Sequence, residues 1–289
     1  MSVNIILKLF IIHYSIFIIL APAMAQPPTH MVTYGSDAET IEGDDDFVQI
    51  IFIRIPVQAE AESSDALYLR IFDADCGENL DARYTKTWNT RTRFRLFGGK
   101  GACSRPGLRK HSPSNADMSS GTLISDETFG EDPFRDNQWH TFASFNLEQG
   151  EKIDDFRYFK FLVEGQDGDD GNRFSFVVSQ KPNRTLLPKR MEIYGFTPTI
   201  HLPTTDVFAE MRFFVPADIT EITVHNFDLA GAVVGVDTAF RSNLPVASSG
   251  QNEWKETRVQ LEPREVGRTC ALRFEGGEEI PNDGTFFVT

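Results

Sequence analysis

Short stretches of alternating apolar residues, separated by turn residues, are the feature that most constrains how this chain can fold. In the first half they occupy residues 47–57, 66–73, 90–97, 121–129, 139–147, 156–165 and 173–180. Glycine, asparagine, aspartate and proline fill the gaps between them. Alternation over strand length, with frequent turns, is typical of antiparallel sheets packed face to face. The same pattern resumes beyond residue 190, so the chain is predicted to be all-β.

The two halves of the chain also repeat one another in order. "DFVQIIFIRIP" (46–56) aligns without a gap on "DVFAEMRFFVP" (206–216), and "LYLRIFD" has its counterpart in "EITVHNFD". Later segments that begin at Trp139 and Trp254 each end in Leu-Glu. This order predicts an internal duplication into two tandem antiparallel β-sandwich domains of jelly-roll or Ig/C2-like type. The alternative is that two unrelated sandwiches share phenylalanine-rich strands.

The N-terminal segment has the composition of a secretory signal peptide. One lysine precedes a short apolar run, and Ala23-Met24-Ala25 fits the small-residue cleavage rule. The run is shorter than the roughly 20 residues that span a bilayer, which makes an uncleaved anchor the weaker alternative. We predict a signal peptide at 1–25, sandwiches at 26–183 and 184–289, and no transmembrane span after cleavage. The mature protein is then secreted, periplasmic or on the cell surface.

The net charge restricts the classes of binding partner, and the cysteine content indicates the state of the thiols. The formal net charge of −14 disfavours nucleic acid and anionic membranes, and it favours cations or neutral partners such as glycans. In an oxidising compartment Cys76 and Cys103, which flank one loop-rich region, are predicted to form a disulfide. Cys270 lies in a strand-like segment, where a buried free thiol is expected.

Acidic side chains collect where predicted strands end. Strand 66–73 runs into Asp73 and Asp75, and a hairpin with strand 47–57 would bring Asp46 to the same end. The loop "EGQDGDDGN" (164–172) adds further acids. Carboxylates this close need neutralisation, and Ca²⁺ with six to eight oxygen ligands is the usual cation outside the cell. The predicted ligands of a Ca²⁺ site are Asp46, Asp73, Asp75, Asp167, Asp169 and Asp170. The alternative is that these loops are merely solvated.

The Asp73-x-Asp75 pair at a strand end and the 167–172 loop together resemble calcium-binding β-sandwich modules, such as C2-like domains and calcium-dependent carbohydrate-binding modules. The resemblance implies a secreted module that binds calcium and a glycan. The chain departs from the EF-hand pattern, because it has no twelve-residue D-x-[DN]-x-[DN]-G loop. The second half keeps Asp206, Asp228 and Asp283 without the dense clusters, so we expect it to bind metal weakly or not at all.

A basic segment between residues 82 and 116 contains nine lysines and arginines and no acid. Arg91, Arg93 and Arg95 fall on one face of a predicted strand. A row of guanidinium groups suits sulfate, phosphate or uronate, so these residues are predicted to bind an anionic glycan, with Trp88 stacking on a sugar. The alternatives are that the arginines pair with the protein's own acids and that Trp88 belongs to the core.

Catalysis has little support in the sequence, because no G-x-S-x-G, H-E-x-x-H or P-loop motif occurs. The favoured function is a non-catalytic, calcium-stabilised binding module that recognises a glycan or a surface partner. A structural or interaction protein of an envelope assembly, without metal dependence, is the alternative. A glycan-active enzyme is a third and weaker one.

Overall fold

The structure is a computed structural model. It describes residues 31–38, 47–57, 66–78, 80–84, 86–109, 113–188, 192–195, 199–201, 208–215, 217, 219–227, 229, 231–250, 253–275 and 283–288. The predicted signal peptide and Asp46 lie outside these residues, as do Asp206 and Asp228.

Strands dominate both halves of the described chain. The first half contains β1 (Met31–Tyr34), β2 (Val48–Pro56), β3 (Leu67–Phe72), β4 (Arg91–Gly98), β5 (Thr122–Phe129), β6 (Trp139–Phe145), β7 (Glu151–Ile153), β8 (Phe156–Asp167) and β9 (Gly171–Ser179). The second half contains β10 (Glu192–Gly195), β11 (Thr199–His201), β12 (Phe208–Val215), β13 (Glu221–Phe227), β14 (Val233–Asp237), β15 (Leu244–Val246), β16 (Trp254–Gln260), β17 (Arg268–Glu275) and β18 (Asp283–Val288). One helical turn, α1 (Asn115–Met118), and 3-10 turns at Pro106–Arg109 and Leu147–Gln149 complete the described elements. The prediction of an all-β protein is confirmed.

Backbone hydrogen bonds arrange each half as two antiparallel arrays. In the first half the orders are β1-β9-β3-β6 and β2-β8-β4-β5, and in the second they are β11-β18-β13-β16 and β12-β17-β14-β15. Strand β7 adds to β8, and β10 adds to the outer edge of β2. Pairing of β1 with β11 joins the first array of each half into one eight-stranded sheet. The two halves are therefore connected through shared sheets as well as along the chain.

A phenylalanine-rich core lies between the two arrays of the first half. Phe94, Phe161 and Phe174 are fully buried there, and the ring of Phe94 stacks on Phe161 at a centroid distance of 5.9 Å. Alternation along β2 directs Ile51, Ile53 and Ile55 into this core, as a period of two requires. A second core, built mainly from valine and leucine, fills the second half. The packing of antiparallel sheets around these cores is sandwich-like.

A third cluster covers the outer face of the sheet that contains β2 and β8. Ile50, Phe52 and Leu162 point outward from the sheet, and the β4–β5 connection packs over them with residues such as Leu108 and Met118. We call the described residues of this connection, between Gly98 and Thr122, the lid. The lid includes the C-terminal part of the basic segment. Its apolar residues explain why β2 is buried on both of its faces.

Two buried charged residues, Glu151 and Lys160, form hydrogen bonds with backbone groups of the lid. The Glu151 carboxylate accepts hydrogen bonds from the backbone N–H groups of Gly101, Cys103 and Ser104 and from the Ser104 hydroxyl. Burial by itself would raise the pKa of Glu151, but these four hydrogen bonds outweigh it and the pKa lies below its usual value. Lys160 is fully buried over the Phe97 ring and donates to the Ser120 carbonyl at 2.8 Å. Burial lowers the pKa of Lys160 to about 8.

The predicted Cys76–Cys103 disulfide is wrong, because the structure has both residues as free, buried cysteines. The N–H of Cys76 donates to the Gly130 carbonyl, just beyond the end of β5, whereas Cys103 follows the far end of β4. The β4–β5 hairpin between those two ends spans about 20 Å at roughly 3.3 Å per residue. A disulfide needs Cα atoms about 4.4–6.8 Å apart.

The first prediction concerns the anchor of the lid. Replacing Glu151 with alanine leaves three backbone N–H groups without their carboxylate, so we expect the free energy of unfolding to fall by about 2–4 kcal/mol. Glu148→Ala is the matched control, because Glu148 is exposed and forms a surface salt bridge with Arg157, and its loss should cost below about 1 kcal/mol. Urea unfolding followed by fluorescence measures both. Equal effects of the two substitutions would contradict the assignment of Glu151 as an anchor.

The second prediction concerns the thiols. Because all three cysteines are free and buried, the folded protein should react slowly with a thiol reagent. After unfolding without reductant it should show the full complement of thiols. A deficit of two thiols in the unfolded, non-reduced protein would show that a disulfide forms after all.

Candidate functional site

Buried carboxylates crowd together at the pole of the first half where β3 ends. Four of them act electrostatically on the same buried thiol, Cys76, whose pKa is raised by burial and by their negative charge. They belong to Asp73, Asp75, Asp81 and Asp170. We call this group the acidic pole. The sequence predicted three of these four as metal ligands.

Asp73 and Asp75 hold the loop between β5 and β6. Asp73 Oδ1 accepts the N–H of Asn137 at 2.8 Å, and Asp75 Oδ2 accepts the N–H of Asp132 at 3.1 Å. Asp73 itself has a φ of 59°, a left-handed conformation that aspartate and asparagine tolerate better than most residues. This turn takes the chain out of β3 and directs both carboxylates into the interior.

Asp170 and Asp81 hold the segment that leads into β4. Asp170 accepts the N–H groups of Tyr84 at 2.8 Å and Asn89 at 2.9 Å, one on each carboxylate oxygen. Asp81 accepts the N–H groups of Gly77 and Arg173, both at 2.6 Å. Backbone amides thus satisfy both oxygens of these two carboxylates.

In and beside the acidic pole, three side-chain oxygens are buried without a hydrogen-bond partner among the residues that the structure describes. They are Asp73 Oδ2, Asp75 Oδ1 and Asn172 Oδ1. Their residues are 0%, 1% and 0% exposed. Asn172 Nδ2 donates at 3.0 Å to the carbonyl of Ala74, the residue between the two aspartates, so the amide lies beside them. An unpaired buried polar oxygen is costly, and two carboxylate oxygens and one amide oxygen in the same region need an explanation.

Burial changes the ionisation of these acids. Burial chiefly, with the negative charges of Asp75 and Asp136, raises the pKa of Asp73 to about 7 against the opposing effect of the hydrogen bond from Asn137. Burial likewise raises the pKa of Asp75 to about 6, with the N–H of Asp132 acting in the opposite direction. Burial is again the main reason that the pKa of Asp81 lies well above its usual value. The pole therefore requires a cation or bound protons for its stability.

The other two predicted ligands in the 164–172 loop lie away from the unpaired oxygens. Asp167 forms a salt bridge with Arg91 at 2.8 Å, and both side chains are well exposed. Asp169 accepts a hydrogen bond from the Asn89 side chain at 2.8 Å. The structure thus brings Asp73, Asp75 and Asp170 to one pole but directs Asp167 and Asp169 outward. It adds Asp81 and Asn172, which were not among the predicted ligands.

The three arginines of β4 each have an internal partner. Arg93 binds Asp126 of the neighbouring strand β5 at 2.5 Å, and Arg95 binds Glu164 of β8. With Arg91 and Asp167 they form a ladder of ion pairs across three strands. This supports the alternative that the basic face pairs with the protein's own acids.

An open cleft of about 440 Å³ beside Arg91 and Glu164 is lined by Phe47, Met118 and neighbouring residues.

Trp88 is half-buried and lies under the guanidinium of Arg83, with 5.5 Å between Cζ and the ring centroid. This contact occupies one face of the indole. Tyr84, four residues earlier, is 64% exposed and packs edge-on against Tyr34 at a centroid distance of 6.0 Å. Of these two aromatic residues, Tyr84 presents the larger free surface.

Comparison of the chain with models of known protein families gives no match, and comparison with curated proteins gives none either. Among the residues that the structure describes, no three histidine, cysteine, aspartate or glutamate side chains are grouped as a metal centre. Within the same residues, no helix has the length and apolar character needed to cross a bilayer.

The third prediction is a pH dependence of stability in the presence of a chelator. The folded pKa values of Asp73 and Asp75 lie above the unfolded value of 3.8. Their stabilising contribution is therefore complete below that value and is lost as the pH rises through about 6 and about 7. Unfolding in urea at several pH values should show this loss for the wild type, and a smaller loss for Asp73→Asn, which cannot ionise. Identical pH profiles for the two proteins would contradict the raised pKa of Asp73.

Proposed function

We propose that this protein is a calcium-stabilised, non-catalytic binding module of the extracellular space or cell envelope. One observation carries the calcium part. Two carboxylate oxygens and one amide oxygen, on Asp73, Asp75 and Asn172, are buried at the same pole without hydrogen-bond partners among the described residues. These are hard oxygen ligands of the kind that Ca²⁺ takes, and calcium sites in proteins routinely add backbone carbonyls to such a set. A bound Ca²⁺ supplies the positive charge that the acidic pole needs.

The ligand set differs from the one that the sequence predicted. Asp170 uses both carboxylate oxygens on backbone amides, so its role in the proposal is to position the 84–89 segment. Asp167 and Asp169 bind Arg91 and Asn89 and are left out of the set. Because the three proposed ligand residues, Asp73, Asp75 and Asn172, are almost fully buried, the metal would stabilise the loops from within and would not contact an external ligand.

A structural role without metal is the second candidate, and a specific observation favours it. All four acids of the pole accept backbone N–H groups, so the loops have anchors that require no cation. Protonation of Asp73 and Asp75 would then replace the metal in neutralising the pole. The two candidates differ in one measurable respect, which is whether calcium stabilises the protein near neutral pH.

We also propose that the two halves arose by internal duplication. The strand orders of the two halves correspond one to one, from β1-β9-β3-β6 to β11-β18-β13-β16. The registers support the alignment made from sequence: Val48 pairs with Glu164 as Phe208 pairs with Glu275. Phe72 pairs with Trp139 as Phe227 pairs with Trp254. The proposed calcium ligands all lie in the first copy. Calorimetry should therefore give one calcium ion bound per chain.

The fourth prediction tests calcium stabilisation. Filling the site with calcium at ten to a hundred times its dissociation constant should stabilise the protein by about 1–3 kcal/mol. That corresponds to a rise of a few degrees in Tm. Asp73→Asn and Asp75→Asn should abolish the rise, because each removes a charged ligand while conserving side-chain shape. Asp169→Asn is the matched control from the same acidic loops and should retain it.

Differential scanning fluorimetry with calcium and with chelator gives the measurement. A Tm that calcium leaves unchanged in the wild type would favour the structural role without metal. A rise that persists in both Asp73→Asn and Asp75→Asn would contradict the proposed ligand set.

A further inference from the structure

One motif of the sequence lies outside both the acidic pole and the lid. Asn183-Arg184-Thr185 is the single Asn-x-Ser/Thr triplet in the sequence, and its middle residue is not proline. Such a triplet is the acceptor for an N-linked glycan in a chain that enters a secretory pathway, where it lies in a surface loop. Because the triplet also arises by chance, its position in the fold decides whether it can be modified.

The triplet lies in a closed loop that follows β9. The Gln180 N–H donates to the Leu186 carbonyl at 2.8 Å, which closes the loop. At the base of the loop, the Ser179 hydroxyl accepts the Leu186 N–H at 3.0 Å and donates to the Arg184 carbonyl at 2.8 Å. Ser179 is fully buried, so the loop is fixed from inside the protein.

The acceptor amide is accessible and has no competing contact. Residues 182–187 are all exposed. Among the described residues, no hydrogen bond involves the side chain of Asn183 or that of Thr185. The neighbouring Pro182 is held by its carbonyl, which accepts the Thr141 hydroxyl at 2.6 Å. The loop therefore presents the amide and the hydroxyl of the triplet to solvent from an ordered backbone.

We propose that Asn183 carries an N-linked oligosaccharide in the mature protein. This modification rests on the export that forms part of the proposed function. The donor is an oligosaccharide joined through pyrophosphate to a membrane lipid. Asn183 Nδ2 forms a bond to the anomeric carbon of the sugar, and the bond from that carbon to the pyrophosphate oxygen breaks. The lipid pyrophosphate leaves with the electron pair, and the amide loses one proton to a base of the transferase.

The surface around the loop gives such a glycan a physical role. Leu186 and Leu187 are 42% and 56% exposed. Leu186 follows Asn183 by three residues, so at most about 11 Å separate their Cα atoms. The loop also contacts Thr141 of β6, which is an edge strand of the eight-stranded sheet. Exposed sheet edges and apolar patches promote association between chains, and a hydrophilic oligosaccharide on Asn183 covers this region.

The test expresses the full chain, with its own N-terminal segment, in eukaryotic secretory cells. The secreted protein is treated with peptide-N-glycosidase, which releases the glycan and converts the acceptor asparagine to aspartate. We expect one step down in apparent mass on a gel, and conversion of Asn183 in the peptide mass spectrum.

Matched variants assign the step to the triplet. Asn183→Gln and Thr185→Ala should abolish it, whereas Thr185→Ser, which keeps the hydroxyl, should retain it. Arg184→Pro should abolish it and Arg184→Ala should retain it, because only proline is excluded at the middle position. Asn115→Gln is the control and should retain the step, because Asn115 is exposed but is followed two residues later by aspartate.

The outcomes separate this modification from the rest of the proposed function. A secreted chain without a glycan would overturn the modification and leave export intact, and a step that persists in Asn183→Gln would overturn the assignment. A chain retained in the cytosol without a glycan would refute export and the modification together. A glycosylated chain whose Tm calcium leaves unchanged would support the modification and refute calcium stabilisation.

Discussion

The organising interaction of this protein is the capture of backbone N–H groups by buried carboxylates at one pole of the first sandwich. Asp73 and Asp75 fix the loop between β5 and β6, and Asp170 fixes the segment that leads into β4. Together they concentrate negative charge in a region from which water is excluded. The same residues that give the loops their shape therefore create the need for a compensating cation or for bound protons.

The sandwich makes this arrangement possible. Core residues such as Phe94 and Phe161 are rigidly packed, so the ends of β3, β4 and β9 are held in fixed positions. Loops that leave those ends can then bring acids from distant parts of the sequence together. The opposite end of the β4–β5 hairpin is secured in the same way, by the Glu151 carboxylate on the amides of residues 101–104. Carboxylate–amide anchors occur at both ends of the hairpin, but in the described part of the chain the unpaired carboxylate oxygens lie at the end nearest β3.

The local sequence pattern predicted the strands well. Features that depend on contacts between distant parts of the chain could not be predicted. The segment predicted at 47–57 is β2 at Val48–Pro56, because side-chain alternation with a period of two is set by neighbouring residues alone. Asp73 and Asp75 could be placed at a pole because they directly follow a strand. The partners of Arg91 and Arg95 could not be predicted, because they depend on which strands flank β4. The separation of Cys76 from Cys103 also depends on the length of a hairpin that the sequence does not show to be formed.

Asn172 shows most clearly what sequence reasoning missed. It follows the acids of the 164–172 loop, yet a neutral amide carries no electrostatic signal that would mark it as a ligand. Only the fold shows that its amide bonds to Ala74 and lies beside the two aspartates.

The most direct test of the central claim is a crystallographic map of the protein grown with calcium. The account predicts a strong peak about 2.3–2.6 Å from Asp73 Oδ2, Asp75 Oδ1 and Asn172 Oδ1. The peak should disappear in crystals of Asp73→Asn. A map in which those three oxygens contact only water, or only one another, would contradict a calcium-stabilised pole.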